Sequence, residues 1–220
     1  MNNDLSLICI PIALLLGATP SAFIIAMIAG KIDIRDEPDG KISAAAVYRR
    51  VGLLPFVIVV IMDIGKGALA VLIAQWLNAG PLMIMLAGVI AIVSHQWSFF
   101  LKFQGGRGAT VMGGVLVCIC TVPTLIGAAV AGLLALMIKN TSSSFGIGLL
   151  AITASLFALQ WVDIAVPPIL IVTPAPPLPF TAYHLLIVYP LLLGLLMMIK
   201  ALQVKYRPGA TLRPGAGGNA

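Results

Sequence analysis

One stretch of the chain combines a histidine, two cations and three glycines: Ser94-His95-Gln96-Trp97-Ser98-Phe99-Phe100-Leu101-Lys102-Phe103-Gln104-Gly105-Gly106-Arg107-Gly108-Ala109-Thr110. Glycine lets an oxyanion approach the backbone closely. The N-terminus of the helix that follows presents N–H groups and the positive end of its dipole. The stretch therefore predicts a phosphate-binding loop, with candidates Lys102, Gly105, Gly106, Arg107 and Gly108. A basic connector between two membrane helices is the alternative.

Two further features of the chain could act in chemistry. His95 lies about two turns before the glycines, where it could polarise a carbonyl group or hold a phosphate oxygen. The alternative is a neutral histidine bonded to a neighbouring helix. Asp63 and Lys66 are three residues apart and share a helix face. Charges inside a membrane are costly and usually paired, so this pair either organises a site or is purely structural.

Arg49 and Arg50 lie where a polar loop enters the next apolar run. They either snorkel to the membrane interface or supply an arginine fork for phosphate. The three cysteines all lie in apolar runs without metal-ligand spacing, so we expect small buried hydrophobic residues there and no metal site.

The composition decides what surrounds these residues. The 220 residues are 60% hydrophobic and only 9% charged, whereas a soluble domain carries about 25% charged residues. Lipid must therefore be the solvent for most of the chain. The net charge of +6 is concentrated in a few places, which favours anionic lipid or an anionic substrate over nucleic acid.

Six apolar runs are long enough to span a bilayer. Residues 163–180 hold six of the 15 prolines and form either a short broken helix or a surface connector. The sequence predicts an all-α, polytopic transmembrane helix bundle of about seven spans, or six if residues 163–180 do not cross. Residues 1–202 form a single transmembrane domain in this interpretation, and residues 203–220 form a disordered cytoplasmic tail. The apolar runs cover residues 5–29, 51–77, 82–101, 109–138, 145–162 and 182–202.

The distribution of lysine and arginine gives the orientation. Basic residues concentrate in the first loop, in the glycine-rich loop and at the C-terminal end, and only Lys139 lies in a loop of the other set. The positive-inside rule then places the N-terminus outside, and the basic loops and the C-terminus in the cytoplasm. Seven spans satisfy this arrangement, and six would put the basic tail outside.

These features, in this order, resemble the bacterial acyl-phosphate-dependent glycerol-3-phosphate acyltransferases, which are small multi-span enzymes of the inner membrane. Lys31 to Arg35, followed by Ala44 to Arg49, is similar to the family's first cytoplasmic loop. Asp63-Ile64-Gly65-Lys66-Gly67 is similar to its Asp-x-x-Lys-Gly element. The stretch from Ser94 to Thr110 is similar to its Gly-His-x-x-(Pro/Ser)…Phe-Lys-Gly-Gly-Lys-Gly segment.

The resemblance implies a membrane acyltransferase of phospholipid synthesis that moves a fatty acyl group from acyl phosphate to the 1-hydroxyl of glycerol 3-phosphate. The product is lysophosphatidate. Acyl phosphate, glycerol 3-phosphate and membrane lipid are the implied partners, without a metal, another cofactor or nucleic acid. The cell membrane is the implied location. The oligomeric state stays open.

The resemblance also implies roles for individual residues. His95 would lie beside the acyl carbonyl as the catalytic candidate, and Asp63 and Lys66 would organise the floor of the site. The candidates for binding phosphate or substrate are Lys41, Ser43, Arg49, Lys102, Gly105, Gly106, Arg107 and Gly108.

The chain departs from the family pattern in its first loop and at its C-terminal end. The family reads Gly-Ser-Gly-Asn-x-Gly-Ala-Thr-Asn where this chain has Pro38-Asp39-Gly40-Lys41-Ile42-Ser43-Ala44-Ala45-Ala46. The family's Arg-His-x-x-Asn-Ile element has no counterpart in residues 202–220. A working acyltransferase and a catalytically impaired paralogue, acting as a lipid-binding or partner subunit, are therefore both open. The lack of inverted repeats argues against a transporter.

Overall fold

The computed structural model describes residues 4–36, 42–138, 141–161 and 180–205, and this part of the chain is almost entirely helical and contains no strand. Single turns of other helix types cover Asp4–Ile8, Ala26–Gly30, Ile34–Asp36 and Phe99–Leu101. The α-helices are α1 Cys9–Ala18, α2 Ser21–Ile25, α3 Ala44–Arg50, α4 Leu53–Trp76, α5 Pro81–Gln96, α6 Ala109–Ile119, α7 Thr121–Ile138, α8 Thr141–Trp161 and α9 Phe180–Lys205.

Several of these helices are long and apolar enough to cross a bilayer. Within the described residues, Leu53–Trp76, Pro81–Leu101 and His184–Gln203 meet this test, and the bent pair Ser6–Ala18 and Ser21–Gly30 makes a fourth span if it counts as one. Large apolar side chains such as Leu54 on α4, Leu136 on α7 and Val188 on α9 are exposed, as expected for a lipid-facing surface. The predicted all-α polytopic bundle is confirmed. Shorter apolar helices cover Ala109–Ile119, Thr121–Met137 and Ser143–Leu159.

Two predictions fall on residues outside the described ranges. The additional crossing within 163–180, on which seven spans depend, falls almost entirely on residues 162–179. Most of the predicted tail is residues 206–220. The boundary between a membrane domain and a tail therefore stays a prediction.

The first apolar run is broken in the middle, where the sequence predicts one continuous span over 5–29. Helix α1 ends at Ala18, α2 begins at Ser21, and the two parts are bent by 40°. Pro20 causes the break, because proline has no N–H to donate and disfavours the helical conformation of the residue before it. The break leaves backbone carbonyls that must find donors elsewhere in the bundle.

The fourth predicted span, over 109–138, is likewise two helices. Cys120 interrupts it with a non-helical backbone (φ −143°, ψ 71°), and α7 begins at the next residue. Pro123 lies in the first turn of α7, where a missing N–H costs nothing because those N–H groups have no helical partner.

Glycines allow α4 and α6 to pack with their backbones in close contact. A Cβ atom added at Gly114 would lie 2.0 Å from the carbonyl oxygen of Ile64, and one added at Gly67 would lie 2.2 Å from the carbonyl oxygen of Val111. Small residues are the usual means of close helix approach in membranes. The contact brings Asp63 of α4 beside Thr110 in the first turn of α6.

We expect Gly114→Ala to lower the thermal unfolding temperature in detergent, because the added methyl group meets backbone that cannot move aside. Overpacking of this kind costs about 1–3 kcal/mol. Gly113→Ala is the matched control, since a Cβ at Gly113 has no atom within 4 Å and alanine favours the helix. Equal unfolding temperatures for the two variants would show that α4 and α6 do not pack as described.

Candidate functional site

A cavity of about 450 Å³ lies where the break of the first span, the start of α3 and the loop before α6 meet. Its wall carries both charged and small apolar side chains. Among the residues predicted from sequence, Ser43, Arg49, Asp63, His95, Gly105, Gly106 and Arg107 line it. The other lining residues are Ala18, Thr19, Pro20, Ser21, Ala22, Ile42, Ala44, Ala45, Ser98, Leu101, Ala109 and Thr110.

The floor of this cavity is a buried ion pair with satisfied hydrogen bonds. Lys66 Nζ lies 2.8 Å from an Asp63 carboxylate oxygen, and donates to the backbone oxygen of Thr19 at 3.0 Å and to Ser21 Oγ at 3.1 Å. The carboxylate of Asp63 also accepts from Thr110 Oγ1 at 2.9 Å and from Ser21 Oγ. Asp63 lines the cavity and Lys66 does not. The pair therefore joins the broken first span to α4 and α6.

The second freed carbonyl of the break is satisfied from the other side of the cavity. Ser98 Oγ donates to the backbone oxygen of Ala18 at 2.5 Å. Ser98 follows the end of α5 and is buried. The break is thus held by two side chains from two different elements, Lys66 of α4 and Ser98 of the loop.

The start of α3 forms one wall. Ser43 caps this helix, because its Oγ accepts from the backbone N–H of Ala46 at 3.3 Å, which is a common use of serine at that position. Arg49 lies in the last turn of α3 and also lines the cavity. Lys41 lies outside the described residues, so its predicted role stays a prediction.

The glycine-rich stretch packs tightly against the end of α5. The N–H of Gly105 donates to the backbone oxygen of Gln96 at 3.1 Å. A Cβ at Gly105 would lie 1.8 Å from the oxygen of His95, and a Cβ at Gly106 would lie 2.5 Å from His95 Nε2. Only glycine fits this approach. Because Gly105 already donates within the protein, N–H groups for an anion have to come from elsewhere in the stretch.

Gln96 holds the other end of the same stretch. Its side chain is fully buried, and Nε2 donates to the backbone oxygen of Arg107 at 2.9 Å. Gly108 follows with φ +86°, a left-handed backbone that suits glycine, at the N-cap position of α6. Gly108 is not among the residues that line the cavity.

Lys102 lies outside the cavity wall. It is exposed, and it forms with Phe103 a turn in which both residues have positive φ, 52° and 63°. Its predicted contact with phosphate would need a substrate that extends beyond the cavity, and stays a prediction.

The charged loop after the first span is also separate from the cavity. Arg35 Nη2 lies 2.5 Å from Asp33 Oδ2, and the guanidinium lies over the ring of Phe23. The hydrogen bonds from Arg35 lower the pKa of the Asp33 carboxyl group. Neither residue of this pair lines the cavity. Within the described ranges, no group of three or more histidine, cysteine or acidic side chains could hold a metal ion.

Sequence reasoning missed the polar residues that hold the cavity together, namely Ser21, Gln96, Ser98 and Thr110. One signal was available for the first of them. Pro20 stands inside an otherwise helical run between Thr19 and Ser21, and a proline in that position ends or kinks a helix at the preceding residue. Non-helical backbone inside a membrane is tolerated where it is buried in protein or lines a cavity, so polar residues beside such a break indicate a cavity.

Lys66→Met should destabilise the fold strongly, because it leaves the carboxylate of Asp63 buried without its counter-charge. Breaking a buried ion pair from one side costs about 3–5 kcal/mol. The double variant Asp63→Asn/Lys66→Met removes both charges and should recover most of that loss. Thermal unfolding in one detergent measures both. Wild-type stability of Lys66→Met alone would contradict this assignment.

Two solved structures share the fold. They are crystal structures of PlsY (YgiH), an integral membrane glycerol 3-phosphate acyltransferase, in a glycerol 3-phosphate form and a lysophosphatidic acid form. The TM-scores are 0.69 and 0.67, and both are 20% identical to this chain. The first match covers 90% of this chain and 88% of PlsY.

Curated relatives match at higher identity. A protein named glycerol-3-phosphate acyltransferase 2 from Moorella thermoacetica is 40% identical over 110 residues, which is 50% of this chain and 56% of that protein. Glycerol-3-phosphate acyltransferase 4 from Dehalococcoides mccartyi is 33% identical over 158 residues, which is 72% of this chain and 81% of that protein. The chain thus spans little more than half the length of the Moorella relative. The family model described as Glycerol-3-phosphate acyltransferase matches residues 7–205, and the chain belongs to that family.

Proposed function

We propose that this protein transfers a fatty acyl group from acyl phosphate to the 1-hydroxyl of glycerol 3-phosphate, giving lysophosphatidate and inorganic phosphate. The observation that carries the proposal is the meeting of Arg49, His95 and Arg107 at one cavity, although they come from three separate segments. Family membership and the glycerol 3-phosphate form of PlsY support the choice of acceptor.

The charges of the cavity suit two phosphorylated reactants. Arg49 and Arg107 carry guanidinium groups, which bind phosphate oxygens through paired N–H donors. Asp63 contributes the negative charge within this wall, and Lys66 lies 2.8 Å behind it as a counter-charge. The arginines therefore bind the anionic reactants. Because Lys66 pairs with Asp63, the carboxylate of Asp63 repels these reactants only weakly.

The reaction itself needs positioning more than a cofactor. The acceptor hydroxyl oxygen attacks the acyl carbonyl carbon. The single bond between that carbon and the oxygen of the phosphate group breaks, and the hydroxyl proton is transferred to the released phosphate. His95 lies against Gly106, where it can stabilise the oxyanion that develops on the carbonyl. The arginines orient both phosphates, and such orientation supplies a large part of the rate enhancement in bimolecular reactions.

The apolar part of the wall suits the acyl chain. Ala18, Ala22, Ile42 and Leu101 share the cavity with the charged residues. A lipid-borne donor can thus keep its chain among apolar side chains while its phosphate meets the arginines. The positive-inside rule supports a cytoplasmic position for this face, with the protein in the cell membrane and its N-terminus outside.

Arg49→Ala should lower kcat/KM for lysophosphatidate formation by about 10- to 150-fold, because it removes a hydrogen-bonded charge contact of about 1.5–3 kcal/mol. Arg107→Ala should do the same. Purified protein in lipid, acyl phosphate and radiolabelled glycerol 3-phosphate provide the assay.

Arg50→Ala is the matched control, because Arg50 neighbours Arg49 on α3 and does not line the cavity. We expect near wild-type rates from it. Equal losses at Arg49 and Arg50 would contradict the proposed site. No product from the wild-type protein with any acceptor would instead support the non-catalytic, lipid-binding or partner-binding alternative.

A further inference from the structure

The end of α9 contacts the loop that follows α5, far from it in sequence. The ammonium group of Lys200 lies over the ring of Trp97, 4.9 Å from its centre. The indole N–H of Trp97 donates to Gln203 Oε1 at 3.1 Å. One aromatic side chain is thus held by two residues of α9 that lie one turn apart.

Lys200 is an unusual residue for its surroundings. It stands in the apolar run Met197-Met198-Ile199-Lys200-Ala201-Leu202 and is only 5% exposed. Burial of an ammonium group is costly unless strong contacts compensate for it, and a cation over an indole face is one such contact, which strengthens when it is desolvated. A plain apolar residue would pack in this helix without that cost, so the contact with Trp97 calls for an explanation beyond packing.

Trp97 lies in the chain between residues that form the cavity wall. It directly follows His95 and Gln96 and directly precedes Ser98. His95 and Ser98 line the cavity. Gln96 fixes the backbone of Gly105 and Arg107 through two hydrogen bonds. A rotation at Trp97 would therefore displace the histidine and the glycine-rich stretch together.

We propose that Lys200 and Gln203 are positioning residues. They clamp Trp97, and through it they fix the end of α5 that carries His95 and Gln96. Neither residue is among those that line the cavity, and their contacts with Trp97 connect them to its wall. The kinetic part of the inference rests on the proposed function, and the structural part does not.

The structural part is tested without any turnover. In a Trp76→Phe/Trp161→Phe background, Trp97 is the sole tryptophan of the chain's three. We expect Lys200→Met to increase acrylamide quenching of Trp97 at least twofold and to speed hydrogen exchange in residues 95–108. Lys200→Arg keeps the cation and should preserve both values. Gln203→Ala removes only the exposed hydrogen-bond acceptor, so it reports on the clamp even if Lys200→Met fails to fold.

The matched control is Met198→Leu, an exposed position on the same helix, which should leave quenching and exchange unchanged. If Gln203→Ala, and a folded Lys200→Met, leave quenching and exchange in residues 95–108 at wild-type values, the clamp is wrong. If the rate of hydrogen exchange rose equally along α4 and α5, the variants would be generally destabilised, and this result would also overturn the proposed clamp.

The kinetic part separates positioning from binding. Lys200→Met and Gln203→Ala should lower kcat about tenfold, since small displacements of reacting groups are costly, with KM for glycerol 3-phosphate within about twofold of wild type. Lys200→Arg should restore kcat. Raised quenching with unchanged kcat would overturn the positioning role. An inactive wild-type protein would overturn the proposed function instead, while quenching and exchange would still decide on the clamp.

Discussion

A broken helix inside a lipid bilayer leaves backbone carbonyl oxygens without helical N–H partners, and the candidate site of this protein is built around the donors that they find. Pro20 interrupts the first span and leaves the backbone oxygens of Ala18 and Thr19 turned toward the bundle. Lys66 donates to one and Ser98 to the other. Unsatisfied groups of this kind cost several kcal/mol each in an apolar medium. The Thr19 oxygen also accepts from the N–H of Ser21, so Lys66 is a second donor there, whereas Ser98 is the donor to Ala18. The cavity forms between these donors.

The same contacts explain why a charged pair sits inside the membrane. Lys66 needs Asp63 as a counter-charge, and Asp63 in turn accepts from Ser21 and Thr110. Three helices, α2, α4 and α6, thereby meet at one carboxylate. The pair has a structural role in these contacts, and Asp63 also lines the cavity, so its site-organising role stays a prediction.

The sequence supports the fold class and much of the site. Hydropathy predicts the bundle. The resemblance implies a phosphate site made of Arg49, Lys102 and the Gly105–Gly108 loop beside His95, and the cavity is lined by these residues except Lys102 and Gly108. Other features depend on tertiary contacts that a sequence pattern does not contain. The direction of Lys102 is decided by two consecutive residues with positive φ, which spacing does not reveal. The breaks at Pro20 and Cys120 lie within apolar runs that hydropathy reads as continuous.

The contacts of small and polar residues are the part of the fold that the sequence does not predict. Glycines in an apolar run look alike in the sequence, yet Gly114 touches the backbone of α4 and Gly113 touches nothing within 4 Å. Gln96 and Ser98 look like parts of a connector, whereas both are buried and bonded to distant backbone. Each of these side chains has its role because a particular backbone group lacks a partner within its own helix. The folded bundle shows which backbone groups these are, and the sequence does not.

The most direct measurement for the central claim is an experimental structure of the protein in lipid with bound glycerol 3-phosphate. We expect the phosphate group to lie in this cavity, within hydrogen-bonding distance of the guanidinium groups of both Arg49 and Arg107. A phosphate bound elsewhere on the protein, with this cavity occupied by lipid alone, would contradict it.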